Sequence, residues 1–299
     1  MNMNFNTAPE TSAPTISSAA MLVELSISSW TARRKDRRAS DDITSQSHAH
    51  KGVASVNKKL LGDCAELVSI QKFASNVRAT HYASTMPWSD SGIRLLPTAQ
   101  YFKYHEQMTR LNAEFDRLVQ LFLDAYDWEV MQAQTKLGSL FLRDEYPTAE
   151  SLRNKFAFRL NYIPVPDAGD WRVDMNNETQ VELRKQYEKF YSDQMERAMR
   201  DVWERMHSEA QRFVKQLDVD AEGKKGKLYQ STIDHLSHLT DMLDAANFNN
   251  DPNLQLAQAK LRAAVHGVAK DDLVRNPGYR ADTKRAVEEA IRALPSLDM

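Results

Sequence analysis

One cysteine, nine glycines and ten prolines in 299 residues leave little material for several common architectures. The single thiol, Cys64, rules out an internal disulfide and a cysteine-based zinc cluster. Turn-forming residues are scarce, so the elements must be few and long, which favours helices over a many-stranded sandwich. Neither charge dominates: 39 Lys and Arg face 41 Asp and Glu, a net of −2, so no global field steers the chain to nucleic acid or an acidic membrane. No run approaches the ~20 apolar residues needed to span a bilayer. Residues 1–20 are mostly Asn, Thr, Ser, Ala and Pro, with no basic start and no apolar stretch. They do not read as a signal peptide, and with little to bury they are expected to be disordered. The expected compartment is the cytoplasm, with no membrane partner.

Short catalytic motifs are also missing. There is no Gly-x-x-x-x-Gly-Lys-Ser/Thr, no Gly-x-Gly-x-x-Gly, no His-Glu-x-x-His and no Gly-x-Ser-x-Gly. A nucleotide-dependent or hydrolytic enzyme is disfavoured, and the sequence assigns no catalytic residue and no cofactor.

What is present is periodic. Val23, Leu25 and Ile27 alternate with Glu24, Ser26 and Ser28, the pattern of a half-buried strand. Residues 52–84 read as a helix, with Cys64 a small buried hydrophobe inside it, and 86–92 as a loop. From 97 to 139, with Pro97 in the first turn, Tyr104, Met108, Leu111, Phe115, Leu118, Phe122 and Ala125 repeat at spacings of 4 and 3. A second seam runs through Tyr187, Tyr191, Met195, Ala198, Val202, Met206, Phe213 and Leu217. Two helices of this kind most simply form a long antiparallel, coiled-coil-like hairpin.

The connector breaks the pattern. A short helix opens at Tyr146-Pro147 and reaches about Lys155, and Phe158–Ile163 then alternates into Pro164-Val165-Pro166, which no helix tolerates. Gly169 and Asp170 make a turn, and Trp171–Met175 alternates again, predicting a β-hairpin that joins the 22–29 strand in a three-stranded sheet. Beyond the turn at Glu222–Lys227, helices are expected at 228–246, 253–266 and 279–293. The layout is thus a disordered 1–20, a hairpin domain with a small β element at 21–220, and a C-terminal helical region at 221–299: a mainly α fold.

Three constellations bear on chemistry. The block Arg33-Arg34-Lys35-Asp36-Arg37-Arg38 holds five cations in six residues. Across 30–60, eight cations meet three anions, a net of +5, which leaves −7 for the rest. Such a patch suits phosphates, with Trp30 available to stack on bases, or an acidic protein face; a merely solvated cluster is the plain alternative. His235, His238 and Asp241 follow one helix face and are weak metal candidates, because one helix rarely completes a site. Glu204 and His207 form a Glu-x-x-His that lacks the second copy di-iron bundles require.

Two segments carry a resemblance. Leu22–Lys35, with its Trp30-Thr31-Ala32-Arg33-Arg34-Lys35 run, resembles the opening of an uncharacterised family of tailed bacteriophages and proteobacteria, and Pro164–Val173, containing Gly169-Asp170-Trp171-Arg172-Val173, resembles its second recurrent segment. The family is a domain of unknown function. The resemblance implies a phage or prophage protein of the host cytoplasm, accompanied by AAA+ ATPases of the MoxR type and von Willebrand factor A-like proteins, as an adaptor or substrate of such machinery. The expected function is therefore non-enzymatic and works through protein–protein contacts, self-association included. The alternative is a nucleic-acid-binding accessory protein using Arg33–Arg38.

Overall fold

The computed structural model describes residues 19–165, 177–218, 226–247 and 252–293. Among them the chain is mainly helical, with a small antiparallel sheet. Strand β1 (Ala20–Ser28) leads into a ribbon of β2 (Arg33–Asp36) and β3 (Val56–Lys59), with helix α1 (Arg37–Gln46) between them. Then come α2 (Ala65–Ala83), β4 (Met86–Pro87), β5 (Arg94–Pro97), a 3-10 turn at Thr98–Gln100 and α3 (Tyr101–Leu137). After 3-10 turns at Gly138–Leu140 and Arg143–Glu145 follow α4 (Ala149–Arg153) and β6 (Ala157–Pro164). The last helices are α5 (Asn177–Leu217), α6 (Gln230–Ala246), α7 (Pro252–Val265), α8 (Lys270–Arg275) and α9 (Pro277–Ala293). No described helix is long and apolar enough to cross a membrane.

The chain divides into two units. One combines Met1–Glu24, Ala83–Tyr104 and Asn161–Met299; the other combines Leu25–Tyr82 and His105–Leu160. In the first, α5 packs on α6, α9 and β4, while α9 packs on α7 and α8. Ala198, Val202, Met206, Ala210, Phe213 and Leu217 of α5 are buried, so the apolar stripe expected there holds through its C-terminal half. Leu236, Leu239, Met242 and Leu243 of α6 and Leu254, Ala257 and Leu261 of α7 complete this core. Arg280 of α9 is itself buried and caps the end of α5. Its guanidinium donates to the carbonyls of Gln216 (2.7 Å) and Leu217 (2.9 Å), acceptors of the kind a helix C-terminus leaves unpaired, and to those of Asp218 (3.2 Å) and Gly226 (3.3 Å) beyond it.

In the second unit, Leu67, Ile70, Ala74, Val77 and His81 line one face of α2, and Met108, Phe115, Val119, Phe122, Tyr126, Val130 and Ala133 line one face of α3. Leu111, Leu118 and Ala125 of the expected α3 seam are only half-buried; Val119 and Tyr126 carry the stripe instead. Tyr126 donates its hydroxyl to the Pro147 carbonyl (2.9 Å) and Tyr146 donates to that of Leu60 (2.6 Å). Burial pushes both phenols up to about 12.

The sheet has the order β4-β5-β1-β6. β1 and β5 are antiparallel, with Leu22 opposite Leu95 and Val23 opposite Arg94. Several local expectations need correction. The strand begins at Ala20, inside the stretch expected to be disordered; residues 1–18 lie outside the described residues. The helix expected over 52–84 starts only at Ala65, because 56–59 pair with β2 and Gly62 takes a left-handed φ of +60° that ends the run. Pro97 closes β5 rather than opening a helix, β4 lies inside the 86–92 stretch expected to be a loop, and β5 occupies residues for which no element was expected before Pro97. Gly169, Asp170, Trp171 and Arg172, with the second half of the expected β-hairpin, lie outside the described residues.

Candidate functional site

The basic block folds as β2 and the first turn of α1. In the β2–β3 register Arg33 lies opposite Lys59, Arg34 opposite Lys58, Lys35 opposite Asn57 and Asp36 opposite Val56. Successive side chains on a strand point to opposite faces, and residues directly opposite each other share one. One face of the ribbon therefore carries Arg34, Asp36, Val56 and Lys58, and the other carries Arg33, Lys35, Asn57 and Lys59.

The two faces differ in charge balance. On the inner face Lys58 is 5% exposed; its ammonium donates to the Leu140 carbonyl (2.8 Å) and forms ion pairs with Glu145 Oε2 (2.7 Å) and Asp36 Oδ2 (3.2 Å). Arg34 reaches the same Glu145 at 3.5 Å, so two cations and two anions cancel. Burial opposes the Lys58 charge, but hydrogen bonding to and attraction by Glu145 and Asp36 outweigh it and hold the ammonium above its ordinary range. Asp36 is held below the usual carboxylate range, first by the Ala39 amide it accepts as N-cap of α1 and then by Lys58. Ser40 donates to the Asp36 carbonyl and accepts from the Val56 amide (3.0 Å), which ties α1 to the ribbon.

On the outer face Arg33, Lys35, Asn57 and Lys59 are all exposed. Arg33 and Lys59 are like charges set directly opposite, an arrangement that disfavours the pairing. Lys59 has an exposed ion pair with Asp63 (2.9 Å), whereas Arg33, Lys35, Arg37 and Arg38 make no ion pair among the described residues. Arg37 and Arg38 occupy the first turn of α1, the helix end where backbone amides already concentrate positive potential, and no acidic residue shares that turn. A polar surface with four cations that lack counter-ions among the described residues carries a local positive potential that attracts anions.

Trp30 is not a free stacking platform. Its half-buried ring lies 6.4 Å from that of Phe122 and edge-on to Tyr126 at 6.0 Å, anchoring the chain just before the ribbon. The following turn holds Ala32 at φ +50°, buried, with its carbonyl accepting from Leu60.

His235, His238 and Asp241 lie along α6 but are taken up separately. His235 pairs with Glu209 of α5 (3.5 Å), Asp241 pairs with Arg262 (3.0 Å) and Lys103 (3.7 Å), and His238 is half-buried, with burial and then Lys103 holding its pKa below the ordinary imidazole value. His207 meets Gln211 at 2.8 Å, one helical turn along α5, while Glu204 is exposed. The ligand atoms that do converge among the described residues are those of Cys64, Glu66 and Glu129, all within 4.8 Å of one another. Sequence reading placed Cys64 inside a helix as a plain apolar residue. Cys64-x-Glu66 was a visible hint, but Glu129, more than sixty residues away on α3, offered none.

No protein-family model, no curated protein and no solved structure matches the chain.

Proposed function

We propose that the chain is a non-enzymatic docking protein whose outer ribbon face, Arg33, Lys35 and Lys59 with Arg37 and Arg38 of α1, receives a carboxylate-rich protein surface. The observation that carries this is the contrast between the two faces of one ribbon. The inner cations are paired with Asp36 and Glu145, while on the outer side Arg33 and Lys59 stand opposed and the cations other than Lys59 have no ion pair among the described residues. An acidic protein is favoured over nucleic acid on two grounds. Trp30 is committed to packing, and the −7 balance outside 30–60 repels an extended polyanion. The family resemblance supplies a setting: a phage or prophage adaptor or substrate working in the host cytoplasm with a AAA+ ATPase or a von Willebrand factor A-like protein. Self-association through a coiled-coil hairpin of α3 and α5 is a weaker reading, since the apolar stripe of each helix finds partners inside its own unit.

The test is fluorescence anisotropy with a labelled polyglutamate peptide and a labelled single-stranded DNA at ~0.15 M salt, where charges more than about 8 Å apart are screened. Binding of the peptide, lost in Arg33→Ala/Lys35→Ala/Arg37→Ala/Arg38→Ala, supports the reading. Tight DNA binding with a log–log salt slope of about −0.7 per contacted phosphate would replace it by a nucleic-acid function.

A further inference from the structure

The chain after β3 turns through Gly62 and places Cys64 immediately ahead of α2, with its carbonyl accepting from Val68 (3.1 Å). Glu66 lies in the first turn of α2, and the Cys64 thiol reaches its Oε2 at 3.4 Å. From α3, Glu129 brings a third oxygen to the same spot. That carboxylate is in an awkward environment: its Oε2 is shut off from solvent and has no hydrogen-bond partner. Neither Glu66 nor Glu129 has an ion pair among the described residues. Two carboxylates and a thiol therefore face one another, and a solvent-shielded carboxylate oxygen with no hydrogen-bond partner is costly.

We propose that Cys64, Glu66 and Glu129 form a binding site for a divalent cation of the zinc class. With Zn–S about 2.3 Å and Zn–O about 2.0–2.2 Å, tetrahedral ligands sit about 3.5 Å apart. The Cys64–Glu66 separation, spanned by a thiol hydrogen bond of 3.4 Å, is near that value, and all three ligand atoms lie within 4.8 Å of one another, close enough for a small inward movement to close the site. One soft sulfur beside two hard oxygens selects against Mg2+ and Ca2+, which take oxygen alone, and against Cu+, which prefers sulfur. Three protein ligands leave a fourth position for water. Binding replaces the thiol proton by the metal and releases that proton to solvent. The cation would join the segment after β3 to α2 and α3. This inference is independent of the docking function proposed above.

The experiment is a titration of purified, metal-free, reduced full-length protein with Co2+, a spectroscopic stand-in for Zn2+. A stoichiometric near-ultraviolet sulfur-to-cobalt charge-transfer band that Zn2+ abolishes is the expected result. Zn2+, but not Mg2+, should also slow modification of Cys64 by a thiol reagent at least tenfold. Glu129→Gln is nearly isosteric and removes the unpaired charge, so it should fold; it should weaken Co2+ binding by at least the roughly 10–100-fold seen when a metal site loses even an outer partner. Cys64→Ser should lose the band while keeping the far-ultraviolet circular dichroism. A folded protein with no band at several equivalents of Co2+, or a band unchanged in Glu129→Gln, would overturn the site.

Discussion

The helical group of α5, α6, α7 and α9 and the β2–β3 ribbon with α1 use opposite strategies within one chain. The first buries a continuous apolar stripe, and its buried Arg280 clamps the end of α5. The second is built from charged residues: of the eight positions in its two strands, five are Lys or Arg and one is Asp. It is held by a buried ion network beneath rather than by apolar contact. An apolar stripe is made for stability, and non-directional burial does that well. A ribbon whose one face is balanced and whose other face is not is suited to recognition.

The contrast can be broken at its strongest point first. In the helical group, Val202→Asp puts an unpaired carboxylate into a fully buried stripe and should cost several kcal/mol, on the order of 4 or more, read as failure to fold or as a large drop in the denaturation midpoint. Lys58→Met tests the inner ribbon face. It keeps the apolar stem but leaves Asp36 and Glu145 facing each other, so chemical denaturation should show a loss of roughly 2–4 kcal/mol. An unchanged midpoint would mean that the ion network holds nothing together. Arg280→Ala strips the end of α5 of its donors and should cost about 2 kcal/mol, with faster amide exchange over the last turn of α5.

A pH dependence separates the two regions further. His238 has its folded pKa lowered, so the unfolded chain takes up the proton first as the pH falls. Its contribution is present above the ordinary value near 6.5 and is lost as the pH drops from there toward the folded value. Asp36, also lowered, acts in a more acidic window: its contribution is present above its ordinary value of 3.8 and is lost below it. Stability should therefore decline first with His238, and His238→Gln should flatten only the limb that begins as the pH falls below His238's ordinary value of 6.5.

How much of this was legible in the sequence follows from the same contrast. Helix periodicity is a local signal, and helices expected at 228–246, 253–266 and 279–293 correspond to α6, α7 and α9, although Pro252 and Pro277, expected to lie between helices, in fact open α7 and α9. β1 was legible for the same reason, since its alternation is written within nine residues. The ribbon was not. β3 reads Val56-Asn57-Lys58-Lys59, with no alternation to mark it, and its pairing with β2 is set by Glu145 and Asp36 finding Lys58. That is long-range information which no window contains. The cations Arg33 to Arg38 were visible as a block, but only the register shows that Arg34 is neutralised while Arg33 and Lys35 are not. Trp30 stood out in the sequence as an aromatic beside the cations; that its half-buried ring lies next to Phe122 and Tyr126, some ninety residues away, was not legible there.

The smallest expected effect on stability is also the most direct test of the docking face. Arg33→Ser/Lys35→Ser/Lys59→Ser, beside Lys58→Met, should be measured for both thermal midpoint and polyglutamate affinity. The outer-face variant should fold within about 0.5 kcal/mol of the parent, helped by relief of the Arg33–Lys59 opposition, and lose most of its affinity. Lys58→Met should lose stability, while any molecules still folded bind normally. An outer-face variant that binds polyglutamate as tightly as the parent, or that unfolds, would contradict a division of the ribbon into a structural face and a recognition face.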